Sequence, residues 1–356
     1  MKVLTVIGNR PQFIKAAAVS PRLREGHQEL LIHTGQHFDD ELSAVFFSEL
    51  GLPAPDLELG VALGSNTSQT ARMLGALEPV VDREAPDFVL VYGDTNSTLA
   101  GALAGAQAGV PVAHVEAGMR SFDRTMPEEL NRVLVDHASS LLLCSSPVAV
   151  SNLRREAVDG SVELVGDVMV DVALATQPRA RERVDLVAER GLEPGGYLLA
   201  TAHRPANVDD PARLALLADL LTSMPLPVLF TIHPRTRRRL DEADLLARLE
   251  RSCAVITAPP LGYLEMTALL CHAQAVLTDS GGLQKEAYLA GVPCVTLRSS
   301  TEWTETIEHG WNVLVDLDAG AARGALSRPR PGERPPLYGD GRAGERVVSA
   351  LTLHVA

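Results

Sequence analysis

Short apolar strands, each followed by a glycine-containing turn and then a helix, constrain the fold of this chain more than any other feature. Residues 3–7 predict a buried strand, residues 8–12 a turn, and residues 13–24 a helix that ends before Gly26. Strands of the same kind are predicted over 30–33, 88–92, 112–115, 197–201, 228–232 and 275–278. Because strands that alternate with helices form parallel sheets with helices on both faces, the sequence predicts an α/β fold with two such sheets.

The length of 356 residues is natural for two domains, since a domain usually holds about 100–200 residues. We expect residues 1–168 to form one Rossmann-like domain and residues 169–356 a second. A stretch rich in proline and glycine over 328–342 predicts irregular structure, and a last helix is predicted over about 343–354. In parallel sheets, ligands bind beyond the carboxyl ends of the strands, so chemically active side chains are expected there.

Charge and composition disfavour several partner classes. A formal net charge of −13 argues against nonspecific binding to nucleic acid, and we interpret the basic cluster from Arg235 to Arg239 as a solvated helix face. No stretch approaches the ~18–20 apolar residues of a membrane span, and the N-terminal apolar run is too short for a signal peptide. The cysteines lie far apart in the sequence, which predicts neither a zinc site nor disulfides but thiols in a reducing cytoplasm.

Three carboxylates stand at strand ends or at the start of a helix. Asp94 follows the strand predicted over 88–92, and its structural alternative is to cap the next helix. Glu116 leaves a neighbouring strand by a comparable turn, which favours a shared site with Asp94. Glu128 has a structural alternative in a capping box with Thr125. The helix that follows is expected to bury Leu130, Val133, Leu134, His137, Ala138 and Leu141. Converging carboxylates suggest that the site transfers protons.

The segment Asp279-Ser280-Gly281-Gly282 opens a predicted helix and is the strongest signal for phosphate binding in the chain. Glycines allow close approach of the backbone, and the first N–H groups of a helix lack internal partners. Ser280 adds a hydroxyl donor, and Glu286, about one turn further on, suits the hydroxyls of a ribose. The structural alternative is a tight strand-to-helix turn. Neither a Walker A loop nor a Gly-x-Gly-x-x-Gly fingerprint is present, which disfavours ATP hydrolysis and nicotinamide binding.

Histidines and cations complete the set of candidate residues. His203 and His233 follow strands of the second half, where either is suited to donate a proton to a leaving phosphate or to bind it as a cation. The structural alternative for both is a satisfied histidine without a catalytic role. Arg10 is placed to contact a diphosphate, whereas Lys15 has the alternative of a solvated helix residue.

Taken together and in this order, the segments resemble the non-hydrolysing UDP-N-acetylglucosamine 2-epimerases. The motifs that carry the resemblance are Gly8-Asn9-Arg10-Pro11, Thr34-Gly35-Gln36-His37, Gly93-Asp94-Thr95, His114-Val115-Glu116-Ala117-Gly118, Pro127-Glu128-Glu129-Leu130-Asn131-Arg132, His203-Arg204, Asp279-Ser280-Gly281-Gly282 and Tyr338-Gly339-Asp340-Gly341. The resemblance implies two Rossmann-like domains of the GT-B type, an active site in the interdomain cleft, and a last helix that packs back on the N-terminal domain. It also implies a homodimer.

The reaction that the resemblance implies inverts C2 of UDP-N-acetylglucosamine and gives UDP-N-acetylmannosamine, without a metal or redox cofactor. By resemblance, proton transfer and support of charge at C1 are assigned to Asp94, Glu116 and Glu128, and departure of UDP to His203. The substrate-binding residues implied in the same way are Arg10, Lys15, Arg132, His233, Ser280, Gly281, Gly282 and Glu286. The candidates for binding a second, activating UDP-sugar are Gln36, His37, Arg72 and Arg204.

Departures from the family pattern leave the substrate open. Trp303 stands in a Thr-Glu-Trp-Thr-Glu segment where the family commonly has Thr-Glu-Arg-Pro-Glu, so a cation expected near the diphosphate is lost. This change resembles a sub-branch that acts on diacetamido uronic-acid UDP-sugars. The stretch 205–207 lacks the acidic residue usual after His-Arg, and Phe38-Asp39 replaces residues that in some bacterial members bind the activating UDP-sugar. A hydrolysing epimerase, a GT-B glycosyltransferase and a non-catalytic UDP-sugar-binding protein are the alternatives.

Overall fold

The fold of residues 1–36 and 47–355 is described from a computed structural model. These residues form two compact units, of which the first consists of 1–174 together with 336–356 and the second of 175–335. Each unit is built on its own parallel sheet, which confirms the predicted α/β fold with two sheets. No helix within the described ranges is long and apolar enough to cross a membrane.

The first unit holds a seven-stranded sheet in the order β3-β2-β1-β4-β5-β6-β7, in which neighbouring strands are parallel. Its strands are β1 (Lys2–Ile7), β2 (Gln28–His33), β3 (Leu57–Glu58), β4 (Phe88–Tyr92), β5 (Val112–Ala117), β6 (Leu141–Cys144) and β7 (Ser161–Leu164). The central strands are buried because helices cover both faces of the sheet.

The second unit holds a six-stranded parallel sheet in the order β10-β9-β8-β11-β12-β13. Its strands are β8 (Leu198–Thr201), β9 (Val228–Thr231), β10 (Val255–Ala258), β11 (Ala275–Thr278), β12 (Cys294–Thr296) and β13 (Asn312–Leu314). In each sheet the strand order reverses direction beside the first strand of the unit, which is where α/β proteins bind their ligands.

The helices alternate with these strands along the chain. They are α1 (Arg10–Arg24), α2 (Asn66–Glu84), α3 (Asn96–Gln107), α4 (Pro127–Ala138), α5 (Pro147–Arg155), α6 (Val168–Glu182), α7 (Asp185–Ala188), α8 (Pro205–Val208), α9 (Pro211–Thr222), α10 (Pro234–Glu242), α11 (Leu245–Glu250), α12 (Tyr263–His272), α13 (Gly281–Ala290), α14 (Thr304–Glu308), α15 (Ala319–Leu326) and α16 (Ala343–Val355). Helix α1 begins at Arg10, earlier than predicted, because the Asn9 side chain caps it by accepting a hydrogen bond from the Gln12 N–H.

The last helix, α16, belongs to the first unit, where it packs against α1. Its first N–H groups, those of Ala343 and Gly344, donate to the Asp171 carboxylate at 3.0 and 2.8 Å. Burial raises the pKa of Asp171 above its usual value, although the two backbone donors act in the opposite direction. Gly344 lies so close to the Ala18 carbonyl that a Cβ at this position would be 2.2 Å from the oxygen. The helix is therefore held by its first turn.

Helix α3 lies unusually close to the first sheet, and this closeness brings its N-terminus next to the end of β4. Gly101 makes the approach possible, because a Cβ there would lie 2.9 Å from Val91 and 3.1 Å from Val6. Gly105 has the same role, since its Cβ would lie 2.9 Å from Val89 and Val112. Both glycines are buried helix residues whose missing side chains leave room for the strands.

Alanine substitutions in α2 and α3 test this packing. Gly75 is an exposed residue of α2 with no atom within 4 Å of a Cβ position, so Gly75→Ala is expected to raise the free energy of unfolding by about 0.5–1 kcal/mol. Gly101→Ala is expected to lower it by about 1–3 kcal/mol, because the new methyl group overlaps two valine side chains. Urea unfolding measures both changes, and equal effects at the two positions would contradict the close packing of α3.

Candidate functional site

The turn after β4 is fixed by hydrogen bonds to three successive carbonyls. The donors are side chains from other segments. Gln12 and Thr98 donate to the Tyr92 carbonyl at 2.9 and 2.7 Å. His114 donates to the Gly93 carbonyl at 2.7 Å, and Asn131 donates to the Asp94 carbonyl at 2.9 Å. Unpaired buried carbonyls are costly, so a turn with these partners has one favoured conformation. The backbone of Asp94 is therefore held in place.

Asp94 does not cap α3, and that structural alternative is wrong. Thr95 is the cap, in a reciprocal capping box with Thr98. The Asp94 carboxylate instead accepts two hydrogen bonds from Arg132, at 3.0 Å from Nε and 2.6 Å from Nη2. About a third of the Asp94 side chain, 29%, stays exposed. It is thus oriented by a cation while one part of it remains accessible.

Glu116 occupies a strained position at the end of β5. Its φ angle of +72° is rare for a residue other than glycine, and the register of β5 against β6 shifts between Val115 and Ala117. The Glu116 carboxylate forms an ion pair with the Lys15 ammonium group. Lys15 is buried at 9% exposure, so the alternative that it is a solvated helix residue is wrong. Strained backbone of this kind is a common feature of functional sites.

Gly93 precedes Asp94 in the sequence and also contacts the ion pair of Glu116. A Cβ on Gly93 would lie 2.8 Å from the Lys15 Nζ and 3.4 Å from Glu116 Oε2, so the ion pair packs directly on the turn that carries Asp94. Its φ of +66° also requires glycine. The structure thus brings Asp94 and Glu116 to one edge of the first sheet, as the sequence predicted.

Glu128 lies in the first turn of α4 without the predicted capping box. Met126 is the cap residue and makes no side-chain cap bond, and the Thr125 hydroxyl donates to Asp123 at 2.6 Å instead. Glu128 is half-buried, and within the described residues its carboxylate has no hydrogen-bond or ion-pair partner. It is available to a ligand.

Helix α4 turns its polar face inward, so the predicted buried stripe is wrong. Leu130 and Leu134 are 47% and 42% exposed, whereas Glu129, Asn131 and Asp136 are buried. The reason is hydrogen bonding, since each buried polar group is satisfied by the site or its loops. The Glu129 carboxylate, for example, accepts bonds from the N–H groups of residues 121 and 122 at 2.9 and 3.0 Å and from Arg132 at 3.0 Å.

In the second unit, buried Asp279 holds the turn after β8. Its carboxylate accepts hydrogen bonds from the N–H groups of His203 and Arg204 at 3.0 and 2.9 Å, and from the Asn207 amide at 3.1 Å. Asn207 therefore donates a hydrogen bond here. It belongs to the stretch 205–207, which lacks the acidic residue usual after His-Arg in the family. The ring of His203 lies 5.6 Å from that of His233, centroid to centroid.

The two histidines differ in their surroundings. Burial lowers the pKa of His203 below its ordinary value; the Arg204 and Arg235 cations add to this shift, and Asp279 opposes it. His233 caps α10, because its Nδ1 accepts a hydrogen bond from the Arg235 N–H at 3.2 Å. The two rings therefore differ in role within the structure: His233 caps a helix, whereas His203 lies in the turn that Asp279 holds.

The N-terminus of α13 has one crowded and one open glycine. Ser280 is the cap residue, and its hydroxyl accepts a hydrogen bond from the Leu283 N–H at 3.4 Å. A Cβ on Gly281 would lie 2.1 Å from Glu302 Oε1, so a protein carboxylate already explains the glycine at that position. Gly282 is open, with only the Ser280 hydroxyl within 4 Å of a Cβ position. The first turn of α13 can therefore receive an anion beside Gly282.

A buried cation stands beside Trp303, where the family pattern has arginine. The Lys285 Nζ lies 4.6 Å from the centroid of the Trp303 ring, and both side chains are buried. Lys285 is on α13, about one turn after Gly281, so its side chain lies on the same helix face. Helix α13 thus places a positive charge directly beside Trp303.

The remaining candidate residues are placed as follows. Arg10 opens α1 and Glu286 lies on α13, both half-buried. Gln36 faces α3, where its side-chain oxygen accepts hydrogen bonds from the Ser97 N–H and hydroxyl at 3.0 and 2.7 Å. Arg72 is exposed on α2, and Arg204 lies 3.8 Å from Glu302. His37 lies outside the described residues, as does Phe38-Asp39.

The basic cluster on α10 is paired with acidic side chains. Arg235 and Arg239 contact Asp209, Arg238 contacts Glu242, and Arg237 lies 3.5 Å from Glu250. These pairs neutralise the cluster locally, in keeping with its interpretation as a solvated helix face.

Similarity to known proteins decides the family. A family model described as UDP-N-acetylglucosamine 2-epimerase matches residues 22–352. The chain belongs to the UDP-N-acetylglucosamine 2-epimerase family. As a member it is a UDP-sugar 2-epimerase, and the family and the GT-B type of fold predicted from the sequence are confirmed.

Relatives of this epimerase differ in substrate. UDP-2,3-diacetamido-2,3-dideoxy-D-glucuronate 2-epimerase of Pseudomonas aeruginosa is 45% identical, over 99% of each chain. A UDP-N-acetylglucosamine 2-epimerase homolog of Methanococcus maripaludis is 43% identical, again over 99% of each chain. The crystal structure of Methanocaldococcus jannaschii UDP-GlcNAc 2-epimerase in complex with UDP-GlcNAc and UDP matches with a TM-score of 0.93 and 39% identity, over 99% of this chain and 100% of that one.

Arg132 was predicted from the sequence as a substrate contact, whereas the burial of the polar residues beside it on α4 was not predicted. Glu129, Arg132 and Asp136 stand at i, i+3 and i+7, which is the spacing of one helix face and would have indicated a buried polar stripe on α4. Glu302 stands near Gly281 only through the tertiary fold, and so does Lys285 near Trp303.

Glu129→Gln tests the anchoring of the 121–122 loop. The pKa of Glu129 lies below its usual value: burial opposes ionisation, but hydrogen bonds from the Ser121 N–H, Arg132 and the Phe122 N–H outweigh it. Such a carboxylate contributes stability above its unfolded pKa of about 4.3, and the contribution is lost as the pH falls through the lower folded pKa. The substitution is expected to lower the free energy of unfolding by about 1–3 kcal/mol near neutral pH.

The difference between Glu129→Gln and wild type should shrink as the pH falls below about 4, because the wild-type carboxylate is then protonated as well. Urea unfolding at a series of pH values measures this. Glu78→Gln, at an exposed position of α2, is the control, for which no such pH-dependent difference is expected. A constant difference for Glu129→Gln across the acid range would contradict the assignment.

Proposed function

We propose that this epimerase interconverts UDP-N-acetylglucosamine and UDP-N-acetylmannosamine by eliminating and re-adding UDP. The observation that carries the proposal is the packing of the Lys15–Glu116 ion pair on Gly93, directly beside Asp94. It supplies two oriented carboxylates at one strand edge, and Glu128 is a third acid of the same unit without a protein partner among the described residues. The first unit thus carries the acid–base groups.

The chemistry requires such groups because the C2 proton is only weakly acidic. In the proposed step, a carboxylate takes the proton from C2, the electrons of that bond form the C1–C2 double bond, and the C1–O bond pair leaves with UDP. The product is a neutral 2-acetamidoglucal with UDP held beside it. UDP then adds back to C1 while an acid returns a proton to the opposite face of C2, so no atom or electron is gained or lost overall.

Diphosphate binding is proposed for the second unit. The open first turn of α13 beside Gly282 offers unpaired N–H groups, with Ser280 at the cap. His203 is proposed to assist departure of UDP, and Glu286 to bind the ribose. Arg10, Lys15, Arg132 and His233 stay predicted contacts of the substrate. Lys15 and Arg132 have a further role in this proposal, since each orients one of the carboxylates.

A second candidate substrate is a UDP-2,3-diacetamido uronic acid. The observation that favours it is the Lys285–Trp303 pair, which stands where the common family pattern has arginine, together with the similarity to the diacetamido-glucuronate 2-epimerase of Pseudomonas aeruginosa. This alternative changes the sugar and leaves the reaction at C2 unchanged. Activation by a second UDP-sugar, a homodimer and a cytoplasmic location also stay predictions.

Exchange of the C2 proton in D₂O tests the reaction. Wild type incubated with UDP-N-acetylglucosamine should acquire deuterium at C2 with the nucleotide still attached, as followed by NMR. Asp94→Asn and Glu116→Gln should each slow the exchange by about 10²–10⁴-fold, because each removes an acid–base group. Asp82→Asn, at an exposed position of α2, should exchange at the wild-type rate.

The other results of the exchange experiment each remove one part of the proposal. Free sugar would indicate a hydrolysing epimerase, and exchange only with the diacetamido uronic-acid nucleotide would replace the substrate. No exchange with either nucleotide would favour transfer or binding without epimerisation. Full activity of Asp94→Asn would exclude that residue from the mechanism.

Proton uptake on UDP binding tests His203. Its depressed pKa leaves the free ring neutral near neutral pH, and a bound diphosphate raises that pKa, so UDP should bind with uptake of a proton and more tightly as the pH falls toward about 6.5. Calorimetry in buffers of different ionisation enthalpy measures the uptake. The terminal phosphate of UDP also titrates and contributes to the measured proton uptake. The contribution of His203 is therefore the part of the uptake that His203→Asn loses. His309→Asn, an exposed control, should keep all of it, and equal uptake by both variants would overturn the assignment.

A further inference from the structure

A buried histidine connects the two turns that carry Asp94 and Glu116. His114 is on β5, two positions before Glu116, and is fully buried. Its Nε2 lies 2.7 Å from the carbonyl oxygen of Gly93, the residue before Asp94, and its Nδ1 lies 2.7 Å from Asp136 Oδ1. The His114 side chain thus links β5, which carries Glu116, to the turn that carries Asp94.

Both ring nitrogens of His114 face atoms that only accept hydrogen bonds. A carbonyl oxygen has no proton to donate, and the second oxygen of the Asp136 carboxylate pairs with the Arg120 guanidinium and accepts the Gly118 N–H, as an ionised carboxylate does. A neutral imidazole would place a lone pair against one of these oxygens at 2.7 Å. With protons on both nitrogens, each of the two oxygens accepts a hydrogen bond from the ring.

The charges around the ring agree with this state. Asp136 Oδ2 pairs with Arg120 at 2.7 Å and accepts the Gly118 N–H at 3.1 Å, and Arg120 binds Glu156 through two hydrogen bonds of 2.8 and 2.6 Å. The chain of His114, Asp136, Arg120 and Glu156 alternates positive and negative charge. It is neutral as a whole only when His114 carries its second proton.

We propose that His114 is a positioning residue for epimerisation, which as a doubly protonated ring fixes the Gly93 carbonyl and thereby sets the distance between Asp94 and Glu116. The inference rests on the proposed function, because it assigns both carboxylates to proton transfer. His114 itself is buried beneath the turn and acts through the backbone of Gly93. The Asp136–Arg120 pair holds the ring in this orientation.

Two substitutions separate this role from a merely structural one. The Asn amide nitrogen takes the place of Nδ1, so His114→Asn keeps a donor for Asp136 and loses the bond to Gly93. The Gln amide nitrogen takes the place of Nε2, so His114→Gln keeps the bond to Gly93 and leaves Asp136 with one partner fewer. A positioning role predicts that His114→Asn is the slower enzyme, by about 10²-fold in kcat for C2 exchange, with KM and UDP affinity unchanged.

A structural role predicts the reverse order, because His114→Gln leaves a buried carboxylate underpaired and should then be the more damaged variant. Urea unfolding of both variants gives their stabilities, and His137→Asn, an exposed histidine on α4, is the control with wild-type kcat. A His114→Asn enzyme as fast as His114→Gln would overturn the proposal.

A measurement on wild type covers the case in which a variant does not fold. With ¹⁵N-labelled histidine, NMR at neutral pH should show both ring nitrogens of His114 carrying protons, and a ring with one proton would overturn the inference. This readout is independent of turnover. If wild type shows two protons but no C2 exchange with any UDP-sugar, the proposed function fails and the state of the ring stands.

Discussion

The hydrogen bonds that fix the turn from Tyr92 to Asp94 are the constraint on which the candidate site of the first unit depends. Three successive carbonyls are satisfied by side chains from α1, α3, α4 and β5. Leaving one such buried group unpaired costs about 1–3 kcal/mol, so the turn cannot rearrange without losing several of these bonds at once. The same contacts fix α3 close to the sheet, where Gly101 and Gly105 leave room for it. Local turn geometry and helix packing therefore support each other.

Buried carboxylates serve as anchors for turns in both units. Asp279 binds the backbone N–H groups of His203 and Arg204 directly, and Asp136 acts on the Gly93 turn through His114. A buried charge is unfavourable unless it is fully hydrogen-bonded, and both carboxylates meet that condition. Because the anchors accept bonds from a specific backbone geometry, they select one conformation of each turn that carries a candidate site residue.

The strand positions could be predicted from the sequence, whereas the orientation of α4 could not. Strands β4 and β11 match their predictions residue for residue, since buried parallel strands are continuous apolar runs bounded by turn residues. The apolar stripe of α4 predicted the wrong face, because Glu129, Asn131 and Asp136 find partners only in the tertiary fold. Asp94, Glu116 and Lys15 were predicted as site residues from their motifs, but the ion pair of Glu116 with Lys15 joins segments far apart in sequence.

Gly281 shows the same limit for the phosphate motif. A glycine at a helix N-terminus predicts close approach of an anion, and the structure shows a close anion there, but it is the carboxylate of Glu302. Arg298 lies 3.0 Å from that carboxylate and so balances its charge. The motif could not indicate that the protein itself supplies a carboxylate beside Gly281, and binding of a phosphate there stays a prediction. Of the two glycines in this turn, Gly282 is the one with open space beside it.

Under the proposed mechanism, differences in surroundings among Asp94, Glu116 and Glu128 would allow one site both to remove and to return a proton. Asp94 and Glu116 are each held beside a cation, by Arg132 and Lys15, whereas Glu128 has no partner among the described residues. Carboxylates in unlike environments take unlike roles in acid–base catalysis, because the environment decides which form of each group is favoured. Inversion at C2 needs an acceptor on one face of the ring and a donor on the other. In the proposed mechanism, the ion-paired Asp94 and Glu116 and the acid Glu128, which has no partner among the described residues, would supply that asymmetry.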